Sequence, residues 1–350
     1  PKSKILLGIF FYTNLFSRSK ITFKKWFYTI TYKLIIGHFN MKKIAFIFPG
    51  QGSQKIGMGK DFFENSDIAK DMINKASQRL GFNFEELLFE ENENLSKTEF
   101  TQPAILLVSS IANEIFKSQC DIKPEFVLGH SLGEFSALVA SGAINYLDGI
   151  ELVHKRGLFM TEACSGVGAG MMALVGLEDS LVEKICEEQR LEGRKIWAAN
   201  YNMDGQLVLA GIKDDLVSLV DIFTQAGAKK AIVLDMSVAS HCDLLTSTVE
   251  NLKPYLEEFL SDDFDVSIIS NVTAQDYASK GDAIELLCQQ LVSPVKYKHS
   301  IIANEDKIDM FVEFGQGIVL KGLNRKITKV PTLNVSDFKS LEKTLGAINE

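Results

Sequence analysis

The chain has five cysteines in 350 residues, Cys120, Cys164, Cys186, Cys242 and Cys288, an odd number with no C-x-x-C pair. That pattern argues against a disulfide framework and against a zinc site, and for a reducing compartment. A phosphate-binding glycine signature is also missing, because Gly50, Gly52 and Gly57 fit neither G-x-x-x-x-G-K-[ST] nor G-x-G-x-x-G. Basic residues are not in excess: 37 Lys and Arg stand against 45 Asp and Glu, a formal net charge of -8. No broad electrostatic attraction for nucleic acid is expected from that balance. Acidic residues, in turn, are absent from the first forty positions, which hold seven Lys or Arg and many aromatics. A basic aromatic leader has the composition of a targeting segment or a membrane-surface helix. Its longest uncharged run, Ile5 to Ser17, is nevertheless too short to span a bilayer, and Met41 stands directly before a clean strand. Residues 1–40 are therefore expected to lie upstream of the folded unit.

What is present centres on EFVLGHSLGEFSALVASG, residues 125–142. A short apolar run (Phe126, Val127, Leu128) reads as a buried strand, GHSLG as a tight turn, and the apolar face of Phe135, Leu138 and Val139 as a helix. Strand, turn and helix with a serine at the bend is the context a nucleophile elbow requires. Gly129 and Gly133 would leave room where backbone and helix pass closely. Ser131 would then stand at a helix N-terminus, where backbone N–H groups favour a negative oxygen. The blander account is a Gly-Ser turn that caps a helix.

The remaining chain reads as alternating strands and helices. KKIAFIF after Met41 has the continuous apolar character of a parallel strand, and PGQGSQ follows as a loop at its carboxyl end, where open α/β sheets place their sites. Gln51 could present its N–H to an oxyanion from that loop. Helical spacing covers residues 61–80, Thr101 to Phe116 with Pro103 near its start, and about Asp148 to Met160. This last helix carries His154, Lys155 and Arg156, a run that on spacing alone describes a solvated face. From Met171 to Asp235 the order is βαββαβ, the ferredoxin-like pattern, and strands VSIIS and DMFVEFG return afterwards. The expected architecture is an α/β-hydrolase-like core with a parallel sheet, residues 41–168 and 237–350, carrying a ferredoxin-like subdomain at 169–236.

A nucleophilic serine needs a base, and the histidines are His38, His130, His154, His241 and His299. His38 falls in the leader, and His130, adjacent to Ser131, is expected to line the site without reaching the hydroxyl. His154, His241 and His299 remain open, with SVASHCD the most suggestive context because it follows the subdomain's last strand.

Taken together, GQGSQ, GHSLGEFSALVASG, the RG of LVHKRGLFM, GAGMMALVGL, SVASHC and QLVSPVKY resemble the bacterial malonyl-CoA:acyl carrier protein transacylases from about Met41 to the end. The resemblance implies an acyltransferase of fatty acid synthesis. It would take a malonyl group from malonyl-CoA onto Ser131 and pass it to the phosphopantetheine thiol of acyl carrier protein. Position by position, it makes Ser131 the nucleophile and His241 its base, with the N–H groups of Gln51 and Leu132 as the oxyanion hole. Arg156 would hold the malonyl carboxylate, which a planar guanidinium grips through two parallel bonds. Gln290 would orient His241 through its main-chain carbonyl, and Asn200 and Asn202 would stand near the acyl pocket. The resemblance implies no metal or redox cofactor, a cytoplasmic enzyme and a monomer, with no nucleic acid or membrane partner. Lys321, Arg325, Lys326 and Lys329 are candidates for docking an acidic carrier protein, against the alternative of a solvated helix face. Ser293 before Pro294, Ala239 before the Ser-His pair, and Gln316 between Gly315 and Gly317 depart from the family pattern at positions away from the reacting groups.

Overall fold

Five consecutive buried residues, Ile44–Phe48, form strand β1 and set the plane of the larger sheet. The structure is a computed structural model that describes residues 42–349, so the expectation for residues 1–40 lies outside the described residues. After β1 come helices α1 (Lys60–Asn65), α2 (Asp67–Leu80), α3 (Phe84–Phe89) and α4 (Thr98–Gln119), then β2 (Phe126–Gly129), α5 (Leu132–Ala140) and α6 (Tyr146–Cys164). The next stretch holds β3 (Ala169–Val175), α7 (Asp179–Leu191), β4 (Ile196–Met203), β5 (Gln206–Ile212), α8 (Lys213–Ser218), α9 (Val220–Gln225) and β6 (Lys230–Val233). The chain then runs through α10 (Thr246–Phe259), β7 (Ile268–Ile269), β8 (Asp276–Tyr277), α11 (Lys280–Val292), α12 (Tyr297–Asn304), β9 (Met310–Phe314), α13 (Val319–Ile327), β10 (Thr332–Val335) and α14 (Phe338–Asn349).

The larger sheet has the order β10-β9-β1-β2-β7-β8 and is parallel except at its edge, where β8 runs antiparallel to β7. Its strands lack a polar face because helices cover both sides. Ile44, Phe46 and Phe48 pack into one apolar layer and Ala45 and Ile47 into the other, the period of two that a strand imposes. Phe46, Phe116 and Phe314 meet in the first layer with ring centroids 4.7–5.6 Å apart. Pairing of Phe48 with Gly129 ends β1 and β2 level, so the loops after them emerge side by side. That register brings Gln51 and Ser131 to one end of the sheet.

The second sheet has the order β4-β5-β3-β6 and is antiparallel throughout, the ferredoxin-like arrangement expected from βαββαβ. Its own apolar core includes Met172, Leu174, Leu207, Leu209 and Phe223. Two backbone bonds join it to the rest, Tyr201 N to Val295 O (2.9 Å) and Val295 N to Ala199 O (2.8 Å). Lys298, its side chain nearly buried, adds ion pairs to Asp179 (2.5 Å) and to the exposed Asp204 (2.8 Å).

Three helices differ from the sequence expectation. The apolar spacing over 61–80 continues across a break at Ser66, whose backbone is extended and whose Oγ accepts from Ala69 N at 3.5 Å, starting a new helix. The stretch after β5 is likewise two helices that meet at Leu219. Pro103 lies inside α4 rather than in its first turn. Its missing N–H frees the carbonyl of Glu99, which instead accepts a 2.7 Å bond from His154 Nδ1. No helix among the described residues is long and apolar enough to cross a membrane.

Candidate active site

Ser131 sits between β2 and α5 with φ 53° and ψ -107°, a strained backbone that turns its side chain out of the sheet end. Crowding explains the flanking glycines. A Cβ at Gly129 would lie 1.9 Å from Gly133 C, and one at Gly133 would lie 2.0 Å from Phe48 O. Asn271, fully buried just beyond β7, pins the bend from the other side: its Oδ1 accepts from Ser131 N (2.7 Å) and its Nδ2 donates to Gly129 O (2.6 Å). With the serine N–H thus engaged, the next N–H, that of Leu132, is left at the open first turn of α5.

His241 is the histidine that reaches the serine, with Nε2 2.7 Å from Ser131 Oγ. Its Nδ1 is 2.7 Å from the main-chain oxygen of Gln290, which can only accept. Nδ1 therefore carries the proton and the Nε2 lone pair faces the hydroxyl. Burial, then the positive charge of Arg156, depress the imidazole pKa to about 3, so the ring is neutral. His241 itself holds φ 62°, a second strained backbone at the same place. The other candidates are engaged elsewhere. His154 bonds Glu99 O, His299 packs edge-on against Tyr201, and His130 Nε2 donates to Asn202 Oδ1 at 2.8 Å.

Arg156 is not on a solvated face: it is 1% exposed and its Cζ stands 5.2 Å from the centre of the Phe135 ring. Gly157 permits this, since a Cβ there would lie 2.6 Å from Glu99 Cα where α6 crosses α4. Arg156 Nη2 donates to Gln290 Oε1 (3.2 Å) and, at long range, to Ser131 Oγ (3.5 Å), while its Nε has no partner. Burial lowers its pKa to about 10, which leaves it charged at neutral pH. A buried, under-bonded guanidinium beside a serine hydroxyl has donors that an anion could take up.

Gln51 is half-buried, with Nε2 donating to Thr98 Oγ1 at 3.2 Å. A cleft of about 740 Å³ opens beside it, with Lys97 and Lys213 among the lining residues. Asn200 is buried in β4 at its bridge to Val295, and no side-chain bond joins it to the serine among the described residues. Lys321 is half-buried and donates to Asn334 Oδ1 (3.0 Å), whereas Arg325, Lys326 and Lys329 are exposed.

Sequence reasoning missed Asn271, Glu134 and Tyr277, and it named Gln290 for its main-chain carbonyl alone. Glu134 is fully buried, and it accepts from Gln290 Nε2 (2.8 Å), Asn271 N (3.1 Å) and Tyr277 Oη (3.0 Å). Burial pushes its pKa up to about 7 against these bonds and the charge of Arg156. A glutamate as the one charged residue of the helix Leu132–Ala140 was the available signal.

Comparison with known proteins shows the family. Residues 45–326 match the family model described as acyl transferase domain. The chain is 39% identical over 315 residues to the malonyl CoA-acyl carrier protein transacylase of Bacillus subtilis (strain 168), covering 89% of this chain and 98% of that one. It superposes on the crystal structure of malonyl-CoA:acyl carrier protein transacylase from Helicobacter pylori with a TM-score of 0.86 at 43% identity, over 88% of this chain and 99% of that one. A malonyl-transacylase solved in complex with its type II PKS acyl-carrier protein gives a TM-score of 0.84 at 32% identity, over 87% and 99% of the two chains. The chain belongs to the acyl transferase family, among the malonyl CoA-acyl carrier protein transacylases.

Proposed function

We propose that the protein moves a malonyl group from malonyl-CoA to the phosphopantetheine thiol of acyl carrier protein through a malonyl-serine intermediate, supplying fatty acid synthesis. One observation carries the reading: the chain Ser131 Oγ, His241, Gln290 O converges with the under-bonded Arg156 at a single hydroxyl. A hydroxyl and a neutral imidazole suit acyl transfer, and the guanidinium suits an acyl group that ends in a second carboxylate.

In the first half-reaction His241 Nε2 takes the Ser131 proton as Oγ bonds to the thioester carbon. The resulting oxyanion rests on the N–H groups of Gln51 and Leu132. Collapse breaks the C–S bond, and the imidazolium returns its proton to the departing thiolate of coenzyme A. In the second half-reaction the carrier thiol enters, loses its proton to His241 and attacks the acyl-serine, and Ser131 leaves reprotonated. Arg156 holds the terminal carboxylate throughout, and the cleft beside Gln51 receives the long thiol arm. The chemistry calls for no metal or redox cofactor. The relative solved with its carrier protein supports carrier protein as the second partner. The exposed Arg325, Lys326 and Lys329, with Lys321 at their edge, supply the docking cations.

The lifetime of the acyl-enzyme tests this reading. After loading with malonyl-CoA, the serine ester should persist in buffer and discharge when a pantetheine thiol is added. Discharge to water at the same rate with and without thiol would identify a hydrolase instead.

A further inference from the structure

Glu134 touches neither Ser131 Oγ nor His241, yet a carboxyl at 0% exposure is costly to bury and needs a reason. Its partners give one. Tyr277 Oη bonds Oε1, while Asn271 N and Gln290 Nε2 both bond Oε2. The Gln290 amide is thereby fixed with its NH2 group toward Glu134 and Ser131 O (3.1 Å), which leaves its Oε1 facing Arg156 Nη2 at 3.2 Å. An amide turned the other way would present N–H to N–H at the guanidinium. A direct contact between Glu134 and Arg156 would occupy the donors that a substrate carboxylate must use, and the amide spacer prevents it. The arrangement holds the cation through Nη2, by the Gln290 bond and a long contact to Ser131 Oγ, and leaves Nε without a partner.

We propose that Glu134 is a specificity-determining positioning residue: as a hydrogen-bond acceptor it locks the Gln290 amide, and through that amide it aims Arg156 at the carboxylate of the acyl group. The inference rests on the function proposed above and adds a residue to it. The acceptor oxygen at the Oε2 position matters here, and the negative charge does not. A glutamine at 134 keeps that oxygen for Asn271 N and Gln290 Nε2 and offers its NH2 group to the Tyr277 oxygen, whereas a leucine of similar size offers neither.

The test compares serine loading from malonyl-CoA and from acetyl-CoA in full-length wild type, Glu134→Gln and Glu134→Leu. Glu134→Gln should keep the wild-type preference for malonyl within about threefold. Glu134→Leu should lose malonyl preference by about tenfold or more, chiefly through a higher KM for malonyl-CoA, because one hydrogen bond to a charged group is forfeited. Gln290→Met, which removes the amide and keeps the main-chain carbonyl for His241, should show the same selective loss and provides the test if Glu134→Leu does not fold. Equal losses for both acyl groups in these variants, or lost preference in Glu134→Gln, would overturn the inference. A wild type that does not favour malonyl over acetyl would instead overturn the proposed function on which it rests.

Discussion

Replacing Arg156 with alanine isolates the group proposed to read the acyl chain. The guanidinium is buried at 1% exposure, rests on the Phe135 ring and has an unpartnered Nε. A substrate carboxylate that reaches it completes a charge-assisted pair away from water, and removing one member of such a pair costs about 3 to 5 kcal/mol. At about 1.4 kcal/mol per factor of ten, kcat/KM for malonyl loading should fall roughly a hundredfold to several thousandfold. Acetyl loading asks nothing of the guanidinium, so it should hold or improve as a misplaced buried charge is removed. The measurement is coenzyme A release in the loading half-reaction for both thioesters, with thermal unfolding as a control on the fold. Arg156→Lys should recover only part of the loss, because a point charge cannot form two parallel bonds. Equal losses for malonyl and acetyl would refute the carboxylate role and reduce Arg156 to a packing residue.

Three further outcomes follow from the same geometry. Asn271→Ala leaves the buried Gly129 C=O and the part-buried Ser131 N–H without their partners, and a buried orphaned group costs about 1 to 3 kcal/mol; urea unfolding should show that loss together with slower loading, and unchanged stability would contradict the pinning role. Since the folded-state pKa of His241 is depressed to about 3, the unfolded chain binds a proton that the folded one does not from about pH 6.5 downward. Stability from this group is full above about pH 6.5 and is lost as pH falls toward 3, so His241→Gln should show a shallower acid decline than wild type, and parallel declines would refute the shift. Reversing the charges of Arg325, Lys326 and Lys329 should raise KM for the carrier protein severalfold while leaving the coenzyme A half-reaction alone, and the opposite pattern would place carrier docking elsewhere.

The elbow was legible in the sequence because its constraints are local. Gly129, Ser131 and Gly133 lie within five residues, and the close approaches that demand glycine occur within that turn and against the adjacent β1. The βαββαβ order was legible for a similar reason, since each strand and helix carries its own period. Arg156 shows where local reasoning ends. Its helical spacing describes a surface cation, and only the close crossing of α4 and α6 at Gly157 buries it. Asn271 and Glu134 act across 137 to 156 residues of chain, through bonds that no local pattern announces. The edge strands β8 and β10 were missed because Asp276, Thr332 and Asn334 leave them no continuous apolar run. The break at Ser66 was missed because the apolar face runs on across it.

The central claim is that Ser131 becomes acylated beside His241 by a thioester whose acyl group ends in a carboxylate. Intact mass followed by peptide mapping after mixing with malonyl-CoA tests it most directly. One malonyl group per chain, on the peptide that contains Ser131 and absent from Ser131→Ala, is the predicted result. No adduct, or an adduct that persists in Ser131→Ala, would contradict it.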